Sequence, residues 1–125
     1  MLRTNTKKVA ENVKIYIIQN FEPYNEEELE EFESFEDYAL YIYKTFYNEE
    51  IKYNKNYRGN LYDHFKWWCQ GLPSVLDCCY YYNRSAKDDV ASILEEDEEE
   101  KNRYTEAEAE ELLTRLIFKT IVNSL

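Results

Sequence analysis

The sequence predicts an all-α fold, a single bundle of about six helices joined by short connections. Three observations predict it. Only two Gly and two Pro punctuate 125 residues. Four segments open with a Ser or Thr followed three residues later by a carboxylate: Ser34 with Asp37, Ser74 with Asp77, Ser85 with Asp88 and Thr105 with Glu108. In such a capping box the hydroxyl accepts from an early helical N–H while the carboxylate reaches back to the cap. Behind each box apolar residues recur at helical spacing, and no segment alternates with period two for long enough to compete as a strand.

The elements follow in order. Val9, Val13, Tyr16, Ile17 and Phe21 form a stripe, which predicts a helix from about Thr6 to Asn20 ended by "FEPYN". Asn25 caps a short acidic turn or helix carrying Leu29 and Phe32. After Ser34, the residues Phe35, Tyr38, Ala39, Ile42, Tyr43 and Phe46 define a second long helix, which "YNKNYRGN" breaks with turn residues. Asn60 caps the next, with Leu61, Phe65, Trp68 and Cys69 facing inward. Gly71 is expected at the left-handed position just past that helix, and Pro73 prevents continuation. Ser74 then starts a helix with Val75, Leu76, Cys79 and Tyr82 in its stripe. Val90, Ile93 and Leu94 follow Ser85, and Ala109, Leu112, Leu113, Leu116, Ile117 and Ile121 follow Thr105.

Residues 1–125 are the size of one domain around one core. The chain is 44% apolar and 17% aromatic, too rich for a disordered segment despite a net charge of −11. No apolar run approaches the length that spans a bilayer, and "MLRTNTKKVAENVK" leads into no signal-peptide core. A soluble cytoplasmic protein is expected. Cys69, Cys78 and Cys79 are odd in number and two are adjacent, which suits reduced thiols better than a disulfide framework.

The stretch "WCQGLPSVLDCCYYYNRS" concentrates the unusual residues, and on this plan it reads as a helix, a Gly/Pro corner, a helix and a cap. Trp68, Leu72, Leu76 and Cys79 then serve as core. Successive helical residues lie about 100° apart, so Tyr80, Tyr81 and Tyr82 cannot all point inward, and at least one phenol is left for a binding surface.

Catalytic chemistry finds little purchase. The single histidine, His64, stands five residues before Cys69, off the helical spacing that would let both hold zinc, and the adjacent Cys78 and Cys79 lack the usual two-residue gap. An acidic chain raises thiol pKa values, which disfavours a Cys/His nucleophile. The carboxylates lie in runs, whereas acid/base pairs need two carboxyls in different environments. No catalytic residue, metal or cofactor is therefore expected.

Charge carries the functional argument because it is blocky. Residues 22–50 carry −10 and residues 95–111 carry −8, while 1–21 and 51–70 carry +3 each. The first acidic pole includes Glu26, Glu27, Glu28, Glu30 and Glu31; the second begins with Glu95, Glu96, Asp97, Glu98, Glu99 and Glu100. On one helix six successive acids would rise by about 1.5 Å each, close to the roughly one charge per 1.7 Å of duplex DNA. Direct nucleic-acid binding is disfavoured, and a basic partner is favoured. In the sharp form of that expectation the acidic faces imitate phosphates and occupy the groove of a nucleic-acid-binding protein. In the plain form they are solvated faces that keep the chain soluble. An alternative is a protein partner held by an aromatic surface, with Tyr53, Tyr57 and Tyr80 to Tyr82 as candidates. An enzyme using His64 or the cysteines is a third.

The run from Trp68 through "GLPSVLDCCYYYNRSAKDD" to "ILEEDEEE" and "TEAEAEELLTRLI" resembles small acidic helical proteins of uncharacterised function carried by phages and mobile elements of Gram-positive bacteria. The resemblance covers the C-terminal half. It implies a helical accessory protein, a class that includes anti-CRISPR and anti-restriction inhibitors. The basic turn "KYNKNYRG" departs from a uniformly anionic mimic.

Overall fold

The computed structural model describes residues 6–20, 31–52, 60–71 and 86–125. Six α-helices lie among them: α1 (Thr6–Asn20), α2 (Phe35–Phe46), α3 (Leu61–Gly71), α4 (Ala86–Leu94), α5 (Glu98–Lys101) and α6 (Glu106–Asn123). No strand occurs among the described residues, so the fold is all-α as the periodicity predicts. The expected helix from Ser74 and the short one after Asn25 fall largely outside the described residues. The four-residue α5, within the acidic run, was not foreseen.

The stripes that predict the helices also build the core. Val13, Tyr16 and Ile17 of α1, Tyr38, Ala39, Ile42 and Phe46 of α2, and Phe65 of α3 are buried in one cluster. Ala86, Val90 and Ile93 of α4 and Ala109, Leu113, Ile117 and Ile121 of α6 complete it. Helix α6 is the axis of the bundle, packing against α1, α2, α3 and α4. Its inward residues recur at intervals of four, which keeps one face against all its neighbours over 18 residues. Rings join three of the helices: Phe65 lies 5.5 Å from Phe46 and 5.2 Å from Phe118, edge-on and tilted respectively.

Capping follows the sequence closely where it can be compared. The Ser34 hydroxyl accepts from the Asp37 N–H at 3.2 Å, the Asn60 side-chain oxygen accepts from the Asp63 N–H at 2.8 Å, and Thr105 and Glu108 form both arms of their box. Ser74, Asp77 and Ser85 lie outside the described residues, and the Asp88 carboxylate binds Lys101 at 2.8 Å.

Helix α2 continues past Phe46, short of the turn residues "YNKNYRGN", as a π-helical turn over Tyr47–Ile51 closed by the Lys52 N–H on the Tyr47 carbonyl at 3.0 Å. The wider turn brings Ile51 back against the core. Two expectations need correction. Leu61, expected inward, is 36% exposed, because the first residue of α3 precedes the point where that helix meets the core at Phe65. Gly71 is the last residue of α3 and has no positive φ; among the described residues the left-handed conformation occurs at Glu95, after α4, with φ of 56°.

Candidate acidic interface

The second acidic pole is a corner between α4 and α6, and backbone geometry shapes it before charge does. Glu95 follows the end of α4 in the left-handed conformation. The Glu96 N–H then donates to the Ala91 carbonyl at 2.8 Å and the Glu95 N–H to the Ser92 carbonyl at 3.4 Å. This pair of bonds is the Schellman motif, with Glu where Gly is usual. From α1, the Asn12 amide donates to the Ile93 carbonyl at 2.8 Å. Three of the last four carbonyls of α4 are thereby satisfied.

The chain restarts at once. The Asp97 carboxylate accepts from the Glu100 N–H at 2.8 Å and the Glu100 carboxylate from the Asp97 N–H at 3.4 Å, a capping box that opens α5. Carboxylates in that first turn are favoured by the partial positive charge of the exposed N–H groups. Lys101, at its end, binds Asp88 of α4 at 2.8 Å and Glu98 at 3.0 Å, and both contacts raise its pKa. The six acids therefore do not line one helix at a phosphate-like rise. They divide between a helix end, a linker and a new helix start, which overturns the linear spacing expected from the sequence.

Glu96 is the residue on which the corner turns. The Tyr104 hydroxyl donates to its Oε2 at 3.2 Å, closing the loop over α5, while its Oε1 is buried without a hydrogen-bond partner. Burial raises its pKa most; the Tyr104 bond opposes that, and repulsion from Glu100 and Asp97 adds to it. Tyr104 shifts upward too, through burial and the charge of Glu96. Across the next boundary, Glu106 of α6 accepts from the Ala86 N–H, so a carboxylate from one helix caps the start of another. Glu108 is held below the ordinary carboxylate range by its bonds from Thr105. Glu110 is raised by burial and by Glu106.

Further along α6 the charge is balanced rather than free. Glu111 binds Lys66 of α3 at 2.6 Å and Arg115 at 3.1 Å; the Lys66 contact is the main cause of its lowered pKa. Arg115 also lies 4.5 Å from the centre of the Tyr62 ring.

Of the residues proposed to bind a partner, the structure gathers Glu95, Glu96, Asp97, Glu98, Glu99 and Glu100 at this corner. Glu95, Asp97, Glu98 and Glu99 are exposed, whereas Glu96 and Glu100 are half-buried. Glu31 is exposed just before α2. Glu26, Glu27, Glu28, Glu30, Tyr80 and Tyr81 lie outside the described residues, as do Tyr53 and Tyr57. His64 is buried on α3, at 6% exposure. Sequence reasoning missed Lys101, Tyr104 and Glu106 as organisers of the corner. The Asp97–Glu100 spacing was a legible signal for α5, while the Glu106–Ala86 and Lys101–Asp88 contacts depend on the packing of α4 against α6. Among the described residues no helix is long and apolar enough to cross a membrane. Comparison of the chain with models of protein families, with curated protein sequences and with solved structures finds no match.

Proposed function

We propose that the protein is a non-enzymatic binding protein whose acidic corner docks on the basic surface of a nucleic-acid-handling protein and inhibits it. The observation that supports this reading is the fixing of exposed carboxylates on a corner closed by two backbone motifs and by Lys101. Residues 95–111 hold ten carboxylates against Lys101 and Arg103, a net of −8. Asp97, Glu100, Glu106 and Glu108 accept from backbone N–H groups, which orient a carboxylate without cancelling its charge, and the motifs at the end of α4 and the start of α5 fix the backbone that carries the exposed Glu95, Glu98 and Glu99. A preorganised anionic patch steers a cationic partner at long range and loses little side-chain freedom on contact. The imitation of nucleic acid in this reading is of charge density at a corner, not of a regular phosphate ladder.

The structure indicates which charges to remove in the test. Glu95→Gln, Glu98→Gln and Glu99→Gln together leave the Asp97–Glu100 box, the Glu96–Tyr104 contact and the Lys101–Asp88 pair in place, at the cost of the Lys101–Glu98 pair. Partners captured from a host lysate at low salt are identified and purified, and association rates are compared for parent and triple variant. The expected result is a slower association rate in the variant, reproduced in the parent by added salt. An unaltered rate with a basic partner would turn attention to the tyrosines that the sequence offers for binding, Tyr80 and Tyr81 among them.

A further inference from the structure

We infer that the cleft between α1 and α6 is a binding site for a small organic carboxylate with an apolar body, of the size of a medium-chain fatty acid. The cleft has a volume of about 220 Å³. A cavity of roughly 150 Å³ holds a benzene molecule, so this one takes a ligand of roughly nine non-hydrogen atoms. Val9, Ala10 and Val13 line it from α1 and Leu116 from α6. Val13 is fully buried, so the floor is apolar. Thr120 and Ser124 also border the cleft, but their hydroxyls donate to the Leu116 and Thr120 carbonyls, each at 2.8 Å. The donors left on the lining are the ammoniums of Lys14 and Lys119 and the side-chain amide of Asn123.

Charge decides the kind of ligand. No carboxylate lines the cleft, although the chain has 26 acidic residues and a net charge of −11. The helical segments that form it are basic: residues 6–20 hold Lys7, Lys8 and Lys14 against Glu11, and residues 114–123 hold Arg115 and Lys119 with no acid. Lys119 is exposed and makes no ion pair among the described residues. Lys14 is half-exposed, and its contact with Glu36, at 4.0 Å between exposed groups, is weak enough to be exchanged.

Two ammoniums above an apolar floor match a ligand with one anionic head and a hydrocarbon body. The head gains charge-assisted hydrogen bonds and the body leaves water. A carboxylate fits better than a phosphate, because no arginine lines the cleft to grip two phosphate oxygens at once, and a second negative charge above an apolar floor is costly to desolvate. At long range the protein repels anions, so binding here reports the local field of Lys14 and Lys119. The cleft shares no residue with the acidic corner, and the inference stands apart from the function proposed for that corner.

Titration of the full chain with octanoate, followed by calorimetry and by the NMR shifts of the Val9, Val13 and Leu116 methyl groups, tests the inference. The expected result is one site with a Kd of about 0.1–1 mM, in keeping with so small a ligand. Octanol, which lacks the charge, and acetate, which lacks the body, should each bind at least about tenfold more weakly. Lys119→Gln should weaken octanoate binding by about tenfold, whereas Lys119→Arg, which keeps the charge, should retain it. Ala10→Leu fills the cleft with a residue that also favours helix, and should abolish binding with the helical circular dichroism unchanged. An absence of binding at about 10 mM octanoate overturns the inference. Equal binding of octanol, or full affinity in Lys119→Gln, overturns it as well.

Discussion

The aromatic seam on α3 and the acidic corner before α6 both tie the central helix to its neighbours, by opposite means. At the seam, Phe65 joins Phe46 and Phe118 through rings that are indifferent to pH and salt. At the corner, Glu96, Asp97, Glu100, Lys101 and Glu106 hold α4, α5 and α6 through polar bonds, nearly all within twenty residues of chain. The difference teaches that a run of like charges is not equivalent to free charge. Several of these carboxylates are structural parts first, and only the remainder are available to a partner.

Five substitutions would sharpen or break that contrast. Phe65→Ala should have the largest effect, a loss of about 3–5 kcal/mol in denaturant unfolding, because it removes a ring that is 2% exposed from the meeting point of three helices. A loss under about 1 kcal/mol would show that the seam does not hold the bundle. Thr105→Ala deletes one arm of the α6 capping box and should cost about 1 kcal/mol by the same measurement. Glu95→Gly should act in the opposite direction. Its left-handed φ is unfavourable for any side chain, so glycine should raise stability by roughly 0.5–1 kcal/mol, and a loss would mean that the Glu95 side chain does more than occupy the position.

The smallest effect should come from Glu96→Gln and should depend on pH. Burial holds the folded-state pKa of Glu96 above that of the unfolded chain. Its charge therefore opposes folding at neutral pH, and the penalty fades as pH falls through the raised pKa towards the ordinary carboxylate range. The variant should be more stable than the parent by under about 1 kcal/mol at neutral pH and equal to it in acid. Glu111 has the opposite sign. Its lowered pKa contributes stability that is complete above the unfolded-state value and lost as pH falls through the folded one. Melting curves across pH for Glu96→Gln and Glu111→Gln should diverge from the parent in opposite directions at neutral pH.

The helices were legible because their signals are local. The stripe from Val9 to Ile17, the caps at Ser34, Asn60 and Thr105, and the buried positions of α6 all follow from a period of 3.6 residues and from hydroxyls or amides at helix starts. The acidic corner was less legible for two separate reasons. The Asp97–Glu100 box is a local signal that the surrounding acids obscured, since any spacing can be found in a run of carboxylates. The contacts of Glu106 with Ala86, and of Lys101 with Asp88, join residues twenty and thirteen positions apart and exist only after α4 and α6 have packed. Glycine placement misled as well: Gly71 reads as a helix terminator yet lies within α3, and the left-handed turn at the end of α4 is taken by Glu95, where no glycine signals it.

The π-helical turn after α2 has a consequence for chain length. In an uninterrupted α-helix the fifth residue beyond Phe46 points about 140° away from it, so Ile51 would leave the core. Widening one turn to a five-residue bond returns Ile51 to the face that Phe46 occupies. The segment thus stores one residue beyond what a regular helix needs to span the same gap. Removing Asn48 would let Ile51 reach that face in ordinary α geometry, four places after Phe46. The register of the bundle at this point is an adjustable length, and a variant shorter by one residue here should fold to the same core.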